Sequence, residues 1–167
     1  MRILGIDCGT ERTGWGVIDT DGHAHKLLGA GVIRTDARQP LETRLCAIGA
    51  GLRRIAADFA PDAAVVEDLF HAANARSALK LAHVRGVALF TLAEAGLPVG
   101  AYSPAEIKLS VVGHGRAEKE QVQFMVRRLV GPAPELDAED AADAVAAAIC
   151  HATRVRLEQR VHSGVAL

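Results

Sequence analysis

The sequence has little cysteine, few aromatics and no long apolar run, and each shortage removes a class of protein. Its cysteines are Cys8, Cys46 and Cys150, far apart and without a Cys-x-x-Cys pair, which excludes a disulfide framework and a cysteine zinc site and fits a reducing cytoplasm. No stretch approaches the roughly 18 apolar residues of a membrane span, and Ile3-Leu4-Gly5-Ile6 is too short for a secretory core. A soluble, cytoplasmic protein with no membrane association is expected. Neither sign of charge is in excess: 19 Lys and Arg stand against 20 Asp and Glu, a net charge of −1. That balance excludes a strongly basic, tail-driven nucleic-acid binder and a chain kept unfolded by its own charge. No repeat or low-complexity segment is present.

What the chain does have is apolar material, 50% of 167 residues, enough for one sizeable core and too short for two ordinary domains. A single domain over residues 1–157 is expected, with a short flexible tail over 158–167. Ile3 to Ile6 reads as a buried strand ending at Asp7. Trp15 to Ile18 reads as a second strand, reached through a glycine-bounded turn, and Asp19-Thr20-Asp21-Gly22 signals a hairpin into a third, from Lys26 to Arg34. Leu41, Leu45, Ile48, Leu52, Ile55 and Phe59 recur at spacings of 4, 3, 4, 3 and 4, the mark of an amphipathic helix. Ala63 to Val66 is a buried strand ending at Glu67. A helix from about Ala75 to Ala95 follows, closed by Gly96 and Pro98, then a strand from Val99 to Tyr102. Ser103-Pro104 starts another helix; Gly113-His114-Gly115 interrupts it, and Glu118 to Val130 makes the next. The last, alanine-rich helix is expected from about Ala138 to Arg156. This order predicts a mixed α/β fold, a five-stranded sheet with helices on both faces, whose ligands sit beyond the carboxyl ends of the strands.

Asp7 and Glu67 both stand at such strand ends, and Asp140-Ala141-Ala142-Asp143 places two carboxylates at i and i+3 on one face of the final helix. Singly, each has an ordinary reading as a turn residue, a solvated strand end or an acidic helix start favoured by the helix dipole. Together they could converge on one pocket, where neighbouring carboxylates repel and need a countercharge. Oxygen-only donors suit hard divalent ions such as Mg²⁺ or Mn²⁺, and two such ions can stabilise the attacking and leaving oxygens of a phosphodiester displacement. Lys108, Arg116 and Lys119 are basic residues that could pair with phosphates.

Gly5-Ile6-Asp7-Cys8-Gly9-Thr10, Val66-Glu67-Asp68-Leu69-Phe70, Asn74-Ala75-Arg76-Ser77-Ala78-Leu79-Lys80-Leu81, Ala117-Glu118-Lys119 and Asp140-Ala141-Ala142-Asp143, in this order over nearly the whole chain, resemble the successive motifs of the RuvC family of bacterial Holliday-junction resolvases. The resemblance implies a ribonuclease-H-like fold and a metal site of Asp7, Glu67, Asp140 and Asp143 holding two Mg²⁺ or Mn²⁺ ions. It implies a homodimer that makes paired symmetrical nicks in four-way junction DNA, in recombination and repair, leaving 5′-phosphate and 3′-hydroxyl ends, with a branch-migration motor of the RuvA and RuvB type as partner. Lys108 and Lys119 fall at basic positions near the catalytic site, and Phe70 at the aromatic position that stacks on an unpaired base. Asn74, Arg76, Lys80 and Arg116 are further candidate DNA contacts. Cys8 departs from the proline of many relatives and reads as a small core residue.

Two other classes fit parts of the pattern. Gly5 to Thr10 also resembles the phosphate loop of actin-like ATPases and sugar kinases, but those need two lobes around the nucleotide and 167 residues cannot supply both. A relative acting on RNA, or one that only binds branched nucleic acid, is the other; the retained carboxylates argue against an inactive binder.

Overall fold

Side chains alternate across a strand, and that alternation along the first strand decides what each face of the sheet carries. The structure is a computed structural model that describes residues 1–68 and 75–162. Strands β1 (Arg2–Asp7), β2 (Arg12–Thr20) and β3 (His25–Arg34) form an antiparallel meander. β4 (Ala63–Glu67) joins β1 in parallel, and β5 (Val99–Tyr102) joins β4 in parallel, for a sheet order β3-β2-β1-β4-β5. The expected five-stranded mixed sheet of the ribonuclease-H-like type is therefore present, with β1 at its centre.

Helices cover both faces. Leu4, Ile6, Val17, Ala64 and Val66 pack against α1 (Leu41–Phe59) and α2 (Ala75–Glu94) through Ile48, Leu52, Ile55, Val84, Ala88 and Leu92. On the other face Ile3, Ile18 and Val65 pack against α3 (Pro104–Val112), α4 (Lys119–Val130) and the alanine-rich α5 (Glu139–His162). α5 lies very close to the sheet: a Cβ at Gly5 would fall 1.9 Å from the Ala144 carbonyl oxygen, and one at Gly14 would fall 1.9 Å from that of Asp140. Only glycine beneath a small-residue helix permits this approach. Burial of Ala141, Ala142, Ala144, Ala147 and Ala148 on α5, each at most 1% exposed, is its counterpart.

The element order agrees with the sequence reading, and the differences lie at ends. β2 begins at Arg12 rather than Trp15, because pairing with β3 continues to the Arg12 and Arg34 register. Pro134–Asp137 forms a short 3₁₀ turn between α4 and α5. α5 continues to His162 instead of ending near Arg156; no glycine or proline stands between Arg156 and His162 to stop it. Among the described residues no helix is long and apolar enough to cross a membrane.

Candidate active site

Period-2 alternation puts Ile3, Gly5 and Asp7 on the α5 face of β1, and Val65 and Glu67 on the same face of β4. Both carboxylates thus leave the carboxyl ends of neighbouring parallel strands toward the start of α5. Asp140 and Asp143 come from the first turns of that helix, which the tight packing over Gly5 and Gly14 brings down onto the strand ends. Cys8, next to Asp7, points to the other face and is buried there. Burial pushes its thiol up to about 12, reinforced by the Asp7 charge, so it stays protonated and behaves as a small core side chain.

The electrostatics record how close the four acids are. Asp7 is pushed up to about 7, first by burial and then by the charges of Glu67, Asp143 and Asp140. Burial also raises Glu67, with Asp143 adding to it. It raises Asp143 as well, although Lys119 pulls the other way. A cluster of this kind carries more negative charge than its surroundings neutralise. Lys119 and Arg12 form ion pairs with its members. The Lys119 ammonium, first residue of α4, stands 3.0 Å from Asp143 Oδ2 and 3.1 Å from Glu139 Oε2. Desolvation would lower its pKa, but the bond to Asp143 outweighs that and holds it above the usual lysine value. Arg12 at the start of β2 pairs with Asp140, with Nε and Nη2 each 2.6 Å from Oδ2.

Beside the acids, Glu67, Lys108, Lys119 and Asp143 line a cavity of about 160 Å³, whose remaining wall includes Pro104, Ile107, Val122 and Ala146. Lys108 is carried by α3, which is fixed at its start by a reciprocal cap between Ser103 and Glu106 and ended by Gly113 at φ 80°. Of the other sequence candidates, Arg76 and Lys80 are exposed on the first turns of α2, and Arg116 is exposed in the α3–α4 connection. Phe70 and Asn74 lie outside the described residues. Sequence reasoning passed over Arg12, which falls in the glycine-bounded turn expected before Trp15, and Glu139; neither the strand pairing nor the Lys119 bridge has a local signature.

The donor set is all oxygen and in surplus negative charge, which suits a hard divalent cation. Among the described residues no three His, Cys, Asp or Glu side chains are already drawn together as a metal cage.

The sequence profile described as crossover junction endodeoxyribonuclease RuvC matches residues 3–151. The chain belongs to this family. Among curated RuvC proteins, that of Koribacter versatilis is 45% identical over 98% of this chain and 99% of its own length. That of Syntrophotalea carbinolica is 52% identical over 91% of this chain and 94% of its own. The solved structure of Thermus thermophilus RuvC in complex with Holliday junction substrate superposes with a TM-score of 0.89 at 34% identity, covering 95% of this chain and 96% of that one. The yeast mitochondrial Holliday junction resolvase, at 14% identity and a TM-score of 0.63, shares the RuvC fold.

Proposed function

We propose that this chain is a structure-selective endonuclease that resolves four-way DNA junctions by paired symmetrical nicks in recombination and repair. The observation that carries the proposal is the electrostatic coupling of Asp7 to Glu67, Asp140 and Asp143 at one end of the sheet, in a chain of a family whose Thermus thermophilus member was solved on a Holliday junction. In this reading the four carboxylates hold two Mg²⁺ or Mn²⁺ ions. Bound there, the ions supply Lewis-acid activation of water and stabilise charge on the leaving 3′ oxygen, so that hydrolysis leaves 5′-phosphate and 3′-hydroxyl ends.

The remaining work falls to the chain's own groups. Lys119 and Lys108 flank the cavity beside Glu67 and Asp143 and pair with the phosphate undergoing cleavage, a charge-assisted contact. Arg116, Arg76 and Lys80 contact the backbone of the junction arms, and Phe70 and Asn74 reach the unpaired region at the crossover. The apolar wall of Ile107, Val122 and Ala146 limits water beside the reacting phosphate.

Paired cutting of a two-fold symmetric junction calls for a two-fold symmetric enzyme. Leu79 and Phe90 on α2 are each 61% exposed, and their separation of eleven residues, three helical turns, puts them on one side of the helix. That stripe is the proposed homodimer contact. The free cysteines suit a reducing cytoplasm, and family resemblance supports a branch-migration motor of the RuvA and RuvB type as partner.

The test is incubation of the purified protein with a synthetic four-way DNA junction, with and without Mg²⁺ or Mn²⁺, beside linear duplex, branched RNA and the Asp7→Asn variant. Paired nicks confined to the DNA junction, dependent on metal and absent in Asp7→Asn although it still binds, are expected. Binding without metal-dependent cutting by the wild type would instead make the chain a junction-binding module.

A further inference from the structure

We propose that Arg12 is a positioning residue for the metal site, holding Asp140 by one carboxylate oxygen so that the other is presented to a divalent cation. The inference rests on the metal-dependent reading above and adds a residue to it.

Both Arg12 donors, Nε and Nη2, converge on Asp140 Oδ2 at 2.6 Å, leaving Oδ1 outside the ion pair. A guanidinium is a planar, permanently charged fork, so two donors on one oxygen fix both the position and the rotation of the carboxylate. Lys119 contrasts with it: its single ammonium is shared between Asp143 and Glu139 and is a point charge free to turn to a phosphate.

The backbone that carries Arg12 is itself tied down. Thr13 Oγ1 donates to the Gly9 carbonyl at 2.8 Å and Thr35 Oγ1 to the Thr10 carbonyl at 2.6 Å. The Thr35 amide donates to the Glu11 carbonyl at 3.0 Å, and the Arg44 guanidinium, 5% exposed, donates to the Thr10 carbonyl as well. Two residues on, Gly14 lets β2 pass against the Asp140 backbone. Strand, turn and helix start are thus held in one arrangement, and the Arg12 side chain spans a gap whose two ends are fixed. Groups that hydrogen-bond metal-ligating carboxylates orient them, and their loss typically costs about 10–100-fold in metal affinity or activity.

A purely electrostatic role has the opposite sign, because a cation beside Asp140 that only neutralised it would compete with the metal, and its removal would tighten binding. The experiment is a Mn²⁺ titration without DNA, following free Mn²⁺ by electron paramagnetic resonance, for the wild type, Arg12→Ala, Arg12→Lys and Asp7→Asn. Arg12→Ala is expected to bind Mn²⁺ at least about tenfold more weakly while keeping the metal-free melting temperature. Arg12→Lys, which keeps the charge and loses the fork, should fall between them, with kcat reduced and KM for the junction little changed. Should Arg12→Ala fail to fold, Arg12→Lys carries the test alone. Mn²⁺ affinity that is unchanged or tighter in whichever variant folds overturns the proposal, and so does unchanged affinity together with weaker junction binding in EDTA, which would make Arg12 a phosphate contact. A wild type that binds no Mn²⁺, or an Asp7→Asn that binds it equally well, overturns the metal-dependent reading and this proposal with it.

Discussion

On one face of the sheet α5 lies so close that Gly5 and Gly14 are required beneath it, and Asp7, Glu67, Asp140 and Asp143 gather at its N-terminal end. On the other face α1 and α2 stand on Leu4, Ile6, Val17 and Val66 in a mainly apolar layer, with the Thr91 hydroxyl of α2 buried beside Gly49 of α1. The residues of the two faces interleave in the sequence, so Asp7 and Cys8 are chain neighbours with opposite surroundings. A shift of one residue in the β1–β4 register would exchange them and bury the carboxylate under α1 and α2. The chemistry thus depends on close helix-to-sheet approach: larger residues on the α5 face would hold the helix acids away from the strand acids.

The largest contrast in effect is expected at Asp7 and Cys8. Asp7→Asn is expected to lower the junction-cutting rate by about a thousandfold or more, several kcal/mol of lost charge stabilisation. Cys8→Ala should stay within a few-fold, with single-turnover cleavage as the measurement.

Next in size is a stability pair. Gly5→Ala drives a methyl group into the Ala144 carbonyl, a contact with backbone that no side-chain rotation relieves. A loss of about 3 kcal/mol or more is expected, with cutting lost alongside. Leu4→Ala on the opposite face leaves a cavity costing about 2–5 kcal/mol, yet should retain cutting below its melting temperature. Urea unfolding and cleavage assays at low temperature separate the two.

A smaller effect is a pH slope in the metal-free protein. Asp7, pushed up to about 7, together with Glu67 and Asp143, also raised, binds more protons folded than unfolded between about pH 4 and 7, so stability falls as pH rises through that window. Half-buried His25 and His151, lowered by burial, act in the opposite sense near pH 6. The quantity to read is therefore the difference between the wild type and Asp7→Asn. The variant should gain several degrees of melting temperature on the wild type between pH 5 and pH 8 in EDTA, a gain that Mn²⁺ erases by stabilising the wild type.

The smallest change to the folded subunit is on the α1/α2 face. Leu79→Asp with Phe90→Asp, both at exposed positions, should alter subunit stability by under about 0.5 kcal/mol each. The same pair should shift the protein toward monomer in sedimentation and uncouple the two nicks.

The sheet and its helix order were legible because the signals are local. The 3.6-residue stripe from Leu41 to Phe59, the Gly96 and Pro98 stop and the Ser103-Pro104 start each lie within a few residues. The placement of Asp7 and Glu67 at strand ends and of Asp140 and Asp143 at i and i+3 on one helix was legible for the same reason. Arg12 was not, since its partner Asp140 is 128 residues away and the start of β2 is set by pairing with Arg34 on β3. The length of α5 was underestimated because no glycine or proline stands between Arg156 and His162 to mark where the helix runs on, and helix ends are the least marked feature of a sequence.

Whether the four carboxylates of the α5 face close around divalent metal is read out by anomalous diffraction from crystals grown with Mn²⁺. Two peaks touching carboxylate oxygens of Asp7, Glu67, Asp140 and Asp143 are the expected result, and a fully loaded crystal with no peak among those residues would contradict it.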